Sequence, residues 1–339
     1  MKKSDLLVQP IEHIDITSFD SVRLIEAMSK MSFSARDLAR ACELFDTMLR
    51  DDSCTVVLAL AGSTSAGGCM NVYADMIRYN MIDVVVATGA SIVDMDFFEA
   101  LGFRHYAGST KVDDSVLGEF RIDRIYDTFI DEEQLKQCDS TVRDIAASLP
   151  PGVYSSREFI REMGKYLAAN AKKRGSLVEL AYEHKLPVFC PAFSDSSAGL
   201  GLAAHQAANP QKHVAIDSVK DFRELTHLKI NSQDTGLLII GGGAPKNFIQ
   251  DVVICAEVMG VEVSMHKYAV QVTVADVRDG ACSSSTLKEA RSWGKVDSGN
   301  EQMVFCEGTI AVPLLTSYAF NKGGWKNRRR RNMADLFDS

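Results

Sequence analysis

"TVVLALAGSTSAGG", residues 55–68, begins as an apolar run with no polar alternation, breaks into a Gly/Ser turn, and continues as "MNVYADMIRYN" at helical spacing. A strand apolar on both faces that feeds a helix through a small-residue turn is the unit of a parallel α/β sheet. The same order recurs outward from this stretch. "DVVVATG" (83–89) leads to a helix from "DMDFFEAL", and further strands are read at "PVFCPAF" (187–193), "HVAID" (213–217), "GLLIIGG" (236–242), "KYAVQVTVA" (267–275) and "QMVFCE" (302–307). Helical runs such as "SREFIREMGKYLAANAKKR" and "KNFIQDVVICAEVMG" separate them. The pattern predicts an α/β fold: a doubly wound, mostly parallel sheet with helices on both faces. An N-terminal helical segment over residues 1–50 packs on this main domain, which runs over 51–322. The basic run "WKNRRRRN" (325–332) reads as a solvated, disordered tail over 323–339.

Of the 339 residues, 46% are apolar and 24% charged, which suits a globular chain with a sizeable core. A formal net charge of −8 argues against a general nucleic-acid binder. Apolar runs are far shorter than a membrane span, no apolar stretch follows the basic start "MKK", and the eight cysteines show no CxxC pair. Reduced thiols in a cytoplasmic protein are the expectation.

Ligands of such sheets bind beyond the carboxyl ends of the strands. Six small or polar clusters fall there: "GSTSAGG" (62–68), "TGAS" (88–91), "FSDSSAG" (193–199), "GGG" (241–243), "ADVRDGACSSS" (275–285) and "EGT" (307–309). Together they predict a substantial polar ligand lying across the sheet. "GSTSAGG" is neither GxGxxG nor a P-loop, so its reading stays divided between a pyrophosphate cradle and a tight turn. The seven histidines show no metal-ligand spacing, and no GxSxG elbow is present. "SWGK" (292–295) offers an indole, a glycine and an amine. A lysine is nucleophilic only when deprotonated, which an apolar site favours. By itself the segment also reads as an exposed cation, and Glu289 as a solvated helix charge.

In order, "YNMIDVVVATGA", "PVFCPAFSD", "GLLIIGGG", "DG" followed by "EARSWGK", and "TIAVPLL" resemble the deoxyhypusine synthase family over roughly residues 50 to 320. The resemblance implies a Rossmann-like fold that binds NAD, a tetramer with active sites at subunit interfaces, and transfer of an aminobutyl unit. A polyamine donor, spermidine or putrescine, is oxidised, its four-carbon unit passes to an active-site lysine and then to an acceptor amine, and NADH reduces the product. By resemblance Lys295 is the covalent lysine, Trp293 the aromatic wall of the donor pocket, and Glu289 an acidic donor contact. Gly242, Asn247, Gly280 and Cys282 fall among the substrate contacts. NAD contacts fall on Gly62, Ser63, Thr64, Ser65, Ala66, Thr88, Gly89, Ala90, Asp94, Asp195, Val274, Ala275, Glu307 and Gly308.

The chain also departs from the family's pattern. Asn247 stands where the eukaryotic synthases have a histidine, Cys282 and Leu200 stand where they have donor-binding aspartates, and Val93 replaces the first of two paired glutamates. Oxidation and imine exchange are retained while the recognition shell is altered, which points to the deoxyhypusine synthase-like subgroup. A small diamine such as putrescine, giving homospermidine, is the expected acceptor, with a protein lysine of a translation factor as the alternative. Two other classes compete: an NAD-linked amine oxidoreductase without covalent transfer, and a non-catalytic polyamine- or NAD-binding protein.

Overall fold

The computed structural model describes residues 2–279 and 285–337. Its centre is a six-stranded, wholly parallel sheet formed by β1 (Cys54–Leu60), β2 (Val84–Ala87), β3 (Val188–Phe189), β4 (Asp234–Ile240), β5 (Tyr268–Thr273) and β6 (Glu301–Phe305). The strand order is β3-β2-β1-β4-β5-β6, the Rossmann order, which reverses direction between β1 and β4. Leu58 sits opposite Val85 on one side and Leu238 on the other.

The absence of alternation in β1 has a direct cause, since both faces are covered. Val56, Leu58 and Leu60 pack with Phe45 and Met48 of the helix Phe33–Arg50, Tyr73 of Met70–Arg78 and Leu315 of Gly308–Lys322. Val57 and Ala59 point the other way, to Leu225 and Leu228 of Ser218–Ile230, Ile249 and Val252 of Gly243–Val258, and Leu287 of Leu287–Ser292. Successive residues therefore serve two cores.

Three expectations need correction. Val214–Ile216 is a strand, but it pairs with Gly152–Tyr154 in a separate two-stranded sheet. A second small sheet, antiparallel, joins His105–Ala107, Thr128–Asp131 and Ile122–Ile125. These strands are three or four residues long and include charges such as Asp123 and Arg124, so no apolar run announces them. Within 1–50, the α-helices are Val22–Met28 and Phe33–Arg50, while the residues before them hold one short 3-10 turn, Lys3–Asp5, and a segment paired to the small sheet, Ala107 N–H donating to Gln9 O and Ile11 N–H to His105 O.

The third correction concerns the basic run, which is not a solvated tail. Arg328 is buried and paired with Asp83, its Nη1 3.1 Å from Oδ1 and its Nη2 on Oδ2. The same guanidinium donates to Cys54 O at 3.1 Å and Asn80 O at 3.0 Å, and Asn80 Nδ2 returns a bond to Arg328 O at 2.8 Å. Trp325 stacks on Phe320 at 5.6 Å and meets Tyr79 at 5.0 Å. The acidic partner of the run lies inside its own chain, at the amino end of the sheet. The carboxyl end is left for ligands.

Candidate active site

As far as their residues are described, the six predicted clusters lie beyond the carboxyl ends of the strands, with 280–284 outside the described residues, and packing joins several of them. Gly62 holds φ +87° with open space where a side chain would stand, so an occupant can approach the backbone. Its carbonyl accepts from Ser91 Oγ at 2.7 Å, and Ser91 Oγ lies 3.1 Å from Thr88 Oγ1. Ser63 is half-buried beside it, and Ser65 and Ala66 are buried in the turn Ser65–Cys69. Thr64 Oγ1 is fixed by Tyr73 OH at 2.6 Å, and its methyl would stand 3.0 Å from a Cβ at Gly308. Gly89 admits no side chain, because a Cβ there would lie 2.4 Å from Ser196 Oγ. Ala90 follows in the turn Ala90–Phe97. The loops after β1, β2, β3 and β6 therefore form one rim.

Acids sit on this rim in different states. Asp94 is half-buried and accepts Ser197 N–H at 2.7 Å, and burial pushes its carboxyl up to about 6. Asp195 is exposed next to Ser196. Glu307 accepts Thr309 N–H at 2.9 Å, capping the helix Gly308–Lys322. After β5, Val274 is exposed, and Ala275 N–H donates to Thr273 Oγ1 at 3.1 Å. The donor set suits a dinucleotide: backbone N–H groups around an open glycine for phosphates, and exposed carboxylates for ribose hydroxyls.

Lys295 occupies a second locus, on the segment between the helix Leu287–Ser292 and β6. Its Nζ lies 2.5 Å from Asp251 Oδ1 and 5.3 Å from the centre of the Trp293 ring, a cation–π distance. The lysine side chain is 15% exposed and Trp293 is 64% exposed, so the amine is sheltered behind an indole that faces outward. Glu289 is exposed and folds back to accept Thr286 N–H at 2.6 Å, closing a capping box. That backbone bond holds its carboxyl below the usual range. Gly242 is the N-cap residue of Gly243–Val258, and Asn247 is exposed in that helix's first turn. Gly280 and Cys282 lie outside the described residues.

Sequence reasoning missed three residues here. Asp251, the partner of Lys295, lies on Gly243–Val258 with no local signal. Lys246 opens the quoted run "KNFIQDVVICAEVMG" with nothing local to mark it, and it is 1% exposed. It donates to Gln271 Oε1 at 2.9 Å and to Ser285 O. Burial pushes its ammonium down to about 8; the Lys295 charge adds to this and Glu289 opposes it. His266 is the third. It is buried, its N–H donates to Lys295 O at 2.9 Å, and its carbonyl accepts Asp297 N–H at 2.9 Å. Its ring Nδ1 lies 2.8 Å from Thr235 Oγ1, which in turn accepts from Lys229 at 2.8 Å. A chain of buried polar groups thus fixes the backbone that carries Lys295.

Among the described residues, the contacts given above for the two loci are separate, apart from Gln271. Its Nε2 donates to Gly241 O at 2.8 Å at the mouth of the sheet, while its Oε1 accepts from Lys246.

Comparison with known proteins agrees with the ordered motifs. The family model described as deoxyhypusine synthase matches residues 23–319. A Coxiella burnetii protein named "Deoxyhypusine synthase-like protein" is 64% identical over 338 residues, covering 99% of this chain and 96% of its own. An Archaeoglobus fulgidus protein named "Probable deoxyhypusine synthase 2" is 40% identical over 289 residues, covering 85% and 94%. The crystal structure of a "putative deoxyhypusine synthase" from Entamoeba histolytica shares the fold at TM-score 0.61 and 18% identity, over 95% of this chain and 99% of that one. The chain belongs to the deoxyhypusine synthase family.

Proposed function

We propose that the protein is an NAD-dependent aminobutyl transferase that carries the four-carbon unit of a polyamine on Lys295 and delivers it to a small diamine. The supporting observation is the placement of one amine between a carboxylate and an indole face, with Asp251 at 2.5 Å and the Trp293 ring at 5.3 Å. Residues 62–66, 88–90, Asp94, Asp195, Val274, Ala275, Glu307 and Gly308 on the rim would hold NAD, which would supply the hydride acceptor for oxidising the donor carbon beside the amine and the hydride donor for reducing the product.

The remaining steps belong to the chain. The Lys295 ammonium passes a proton to Asp251, and the freed amine adds to the donor's C=N carbon. The donor's three-carbon diamine leaves with a proton, so the aminobutyl unit is held as an imine on Lys295. The acceptor amine then replaces Lys295 at the same carbon. Trp293 attracts the cationic ends of the polyamine through its ring face. The family's lost aspartates, at Leu200 and Cys282, leave fewer carboxylates for a long polycation and favour a short acceptor. Two loci fixed by separate contacts accord with a homo-oligomer in which neighbouring copies complete each other's sites.

The test is incubation with NAD, spermidine and putrescine, with amines identified by mass spectrometry and Lys295→Ala in parallel. Homospermidine that disappears in the variant is the expected result, together with a borohydride-trapped adduct on Lys295. Release of 1,3-diaminopropane without a new polyamine would move the acceptor to a protein lysine. Turnover that survives Lys295→Ala would leave an oxidoreductase without covalent transfer.

A further inference from the structure

The arginines that follow Arg328 are only partly satisfied by their own chain. Arg329 is exposed, and among the described residues it has no hydrogen-bond or ion-pair partner. Arg330 is half-buried and donates through Nη2 alone, to Ile77 O and Arg78 O, both at 3.2 Å, which leaves Nε and Nη1 over. Arg331 donates through Nη2 to Asp52 O. Asp83 Oδ2 lies 3.8 Å from its Nη1 but is already taken by Arg328. Three adjacent guanidiniums stand together in this way in a chain whose net charge is −8.

All three line one cavity of about 660 Å³, with Asn327, Asn332, Asp52 and Asp335 as its other walls. None of the residues of the rim or of the Lys295 site is among them. Of the two carboxylates, Asp335 is paired with Lys185 at 2.8 Å, so Asp52 alone opposes the arginines. The balance is positive, and among the described residues no apolar side chain lines the cavity. A lipid or an apolar peptide finds nothing to pack against there, and a metal ion would be repelled. Guanidinium forks match the paired oxygens of a phosphate group, and asparagine amides donate to further oxygens. A cavity of this volume holds a whole small molecule. A long nucleic acid would instead run out over a chain that is acidic as a whole.

We propose that this cavity binds the polyphosphate group of a small ligand, free or carried on a nucleoside, with Arg329 and Arg330 as its anchors and Asn327 and Asn332 donating to outer oxygens. Clustered like charges repel one another, and a polyanion removes that repulsion as it forms charge-assisted bonds. Burial disfavours the Arg330 cation, with Asp83 opposing this and Arg328 adding to it, and an anion alongside offsets the effect. The cavity is tied to the central sheet. Arg331 holds Asp52 O just ahead of β1, while Arg328 holds Cys54 O at its start and Asp83 just ahead of β2. An occupant therefore steadies the amino ends of the two strands that run into the rim at residues 62–66 and 88–90.

Equilibrium dialysis of the full chain with radiolabelled inorganic tripolyphosphate, at physiological ionic strength, tests this. The chains compared are the wild type, Arg329→Gln/Arg330→Gln, Asp52→Asn and Ser63→Trp, none of which alters Arg328 or Asp83. We expect a site that weakens about tenfold or more in the double variant, where two charge-assisted anchors are lost. The same site should tighten about threefold in Asp52→Asn, where the facing carboxylate loses its charge, a gain that a loosened fold would not produce. It should persist in Ser63→Trp, whose change lies on the rim. Competition by unlabelled adenosine triphosphate separates the sources: stronger than tripolyphosphate assigns the site to a nucleotide, weaker to the free polyanion. Absence of saturable binding, unchanged binding in the double variant, or loss confined to Ser63→Trp would overturn the proposal. So would a single-stranded RNA that outcompetes tripolyphosphate at equal phosphate concentration.

Discussion

Lys295 is defined by its neighbours more than by its own segment. An ammonium 2.5 Å from Asp251 is no nucleophile until its proton moves, so the carboxylate is expected to matter for rate more than for binding. Asp251→Asn should lower kcat by about a hundredfold with little change in KM, the range of a lost proton acceptor, as steady-state kinetics with spermidine will show. The lysine and tryptophan were legible in the sequence because "SWGK" places them together. Asp251 was not, because it lies 44 residues upstream and only the packing of Gly243–Val258 brings it near. Lys246 was visible as a letter, but only its burial gives it a role.

Long, doubly buried strands announce themselves, since β1 and β4 have no polar face to show. Short ones do not. The three- and four-residue strands around Thr128–Asp131 carry charges at half-exposed positions, and Val214–Ile216 reads like a sheet strand until its partner is known. The basic run misled for a different reason: charge at a chain end usually means solvent, yet Asp83 offers a buried partner. With both side chains about 1% exposed, Arg328→Ala strands a buried carboxylate and should cost about 3–5 kcal/mol in chemical denaturation. Replacing Asp83 by Asn in the same chain should recover much of that loss.

At the scale of the whole molecule, buried thiols set the alkaline limit. Burial pushes Cys54 and Cys69 up to about 12, and Cys42, Cys138 and Cys190 up as well. The unfolded chain releases these protons near pH 8.5–9 while the folded chain keeps them, so stability falls as pH rises above 9. Lys229 and Lys246, pushed down to about 8, oppose this up to about pH 10.5. The thiols outnumber the amines, and the raised tyrosines Tyr73 and Tyr318 act with them, so a net loss of stability is expected between pH 9.5 and 10.5, measurable by urea denaturation. The separation of the two loci also has an expected consequence. Mixed oligomers of Lys295→Ala and Ser63→Trp chains should regain activity that neither has alone, and assay after co-refolding decides it.

The bond between Asp83 and Arg328 also sets an order of events. The two residues are 245 positions apart, so a ribosome adding about 5–20 residues per second delivers the arginine roughly 12–50 s after the aspartate. Throughout that interval the residue that leads into β2 is a carboxylate whose partner does not yet exist. The nascent sheet can collapse but cannot close, and a chaperone or a protease meets it with its amino end open. Translation pauses late in the message should therefore expose this protein more than early ones do.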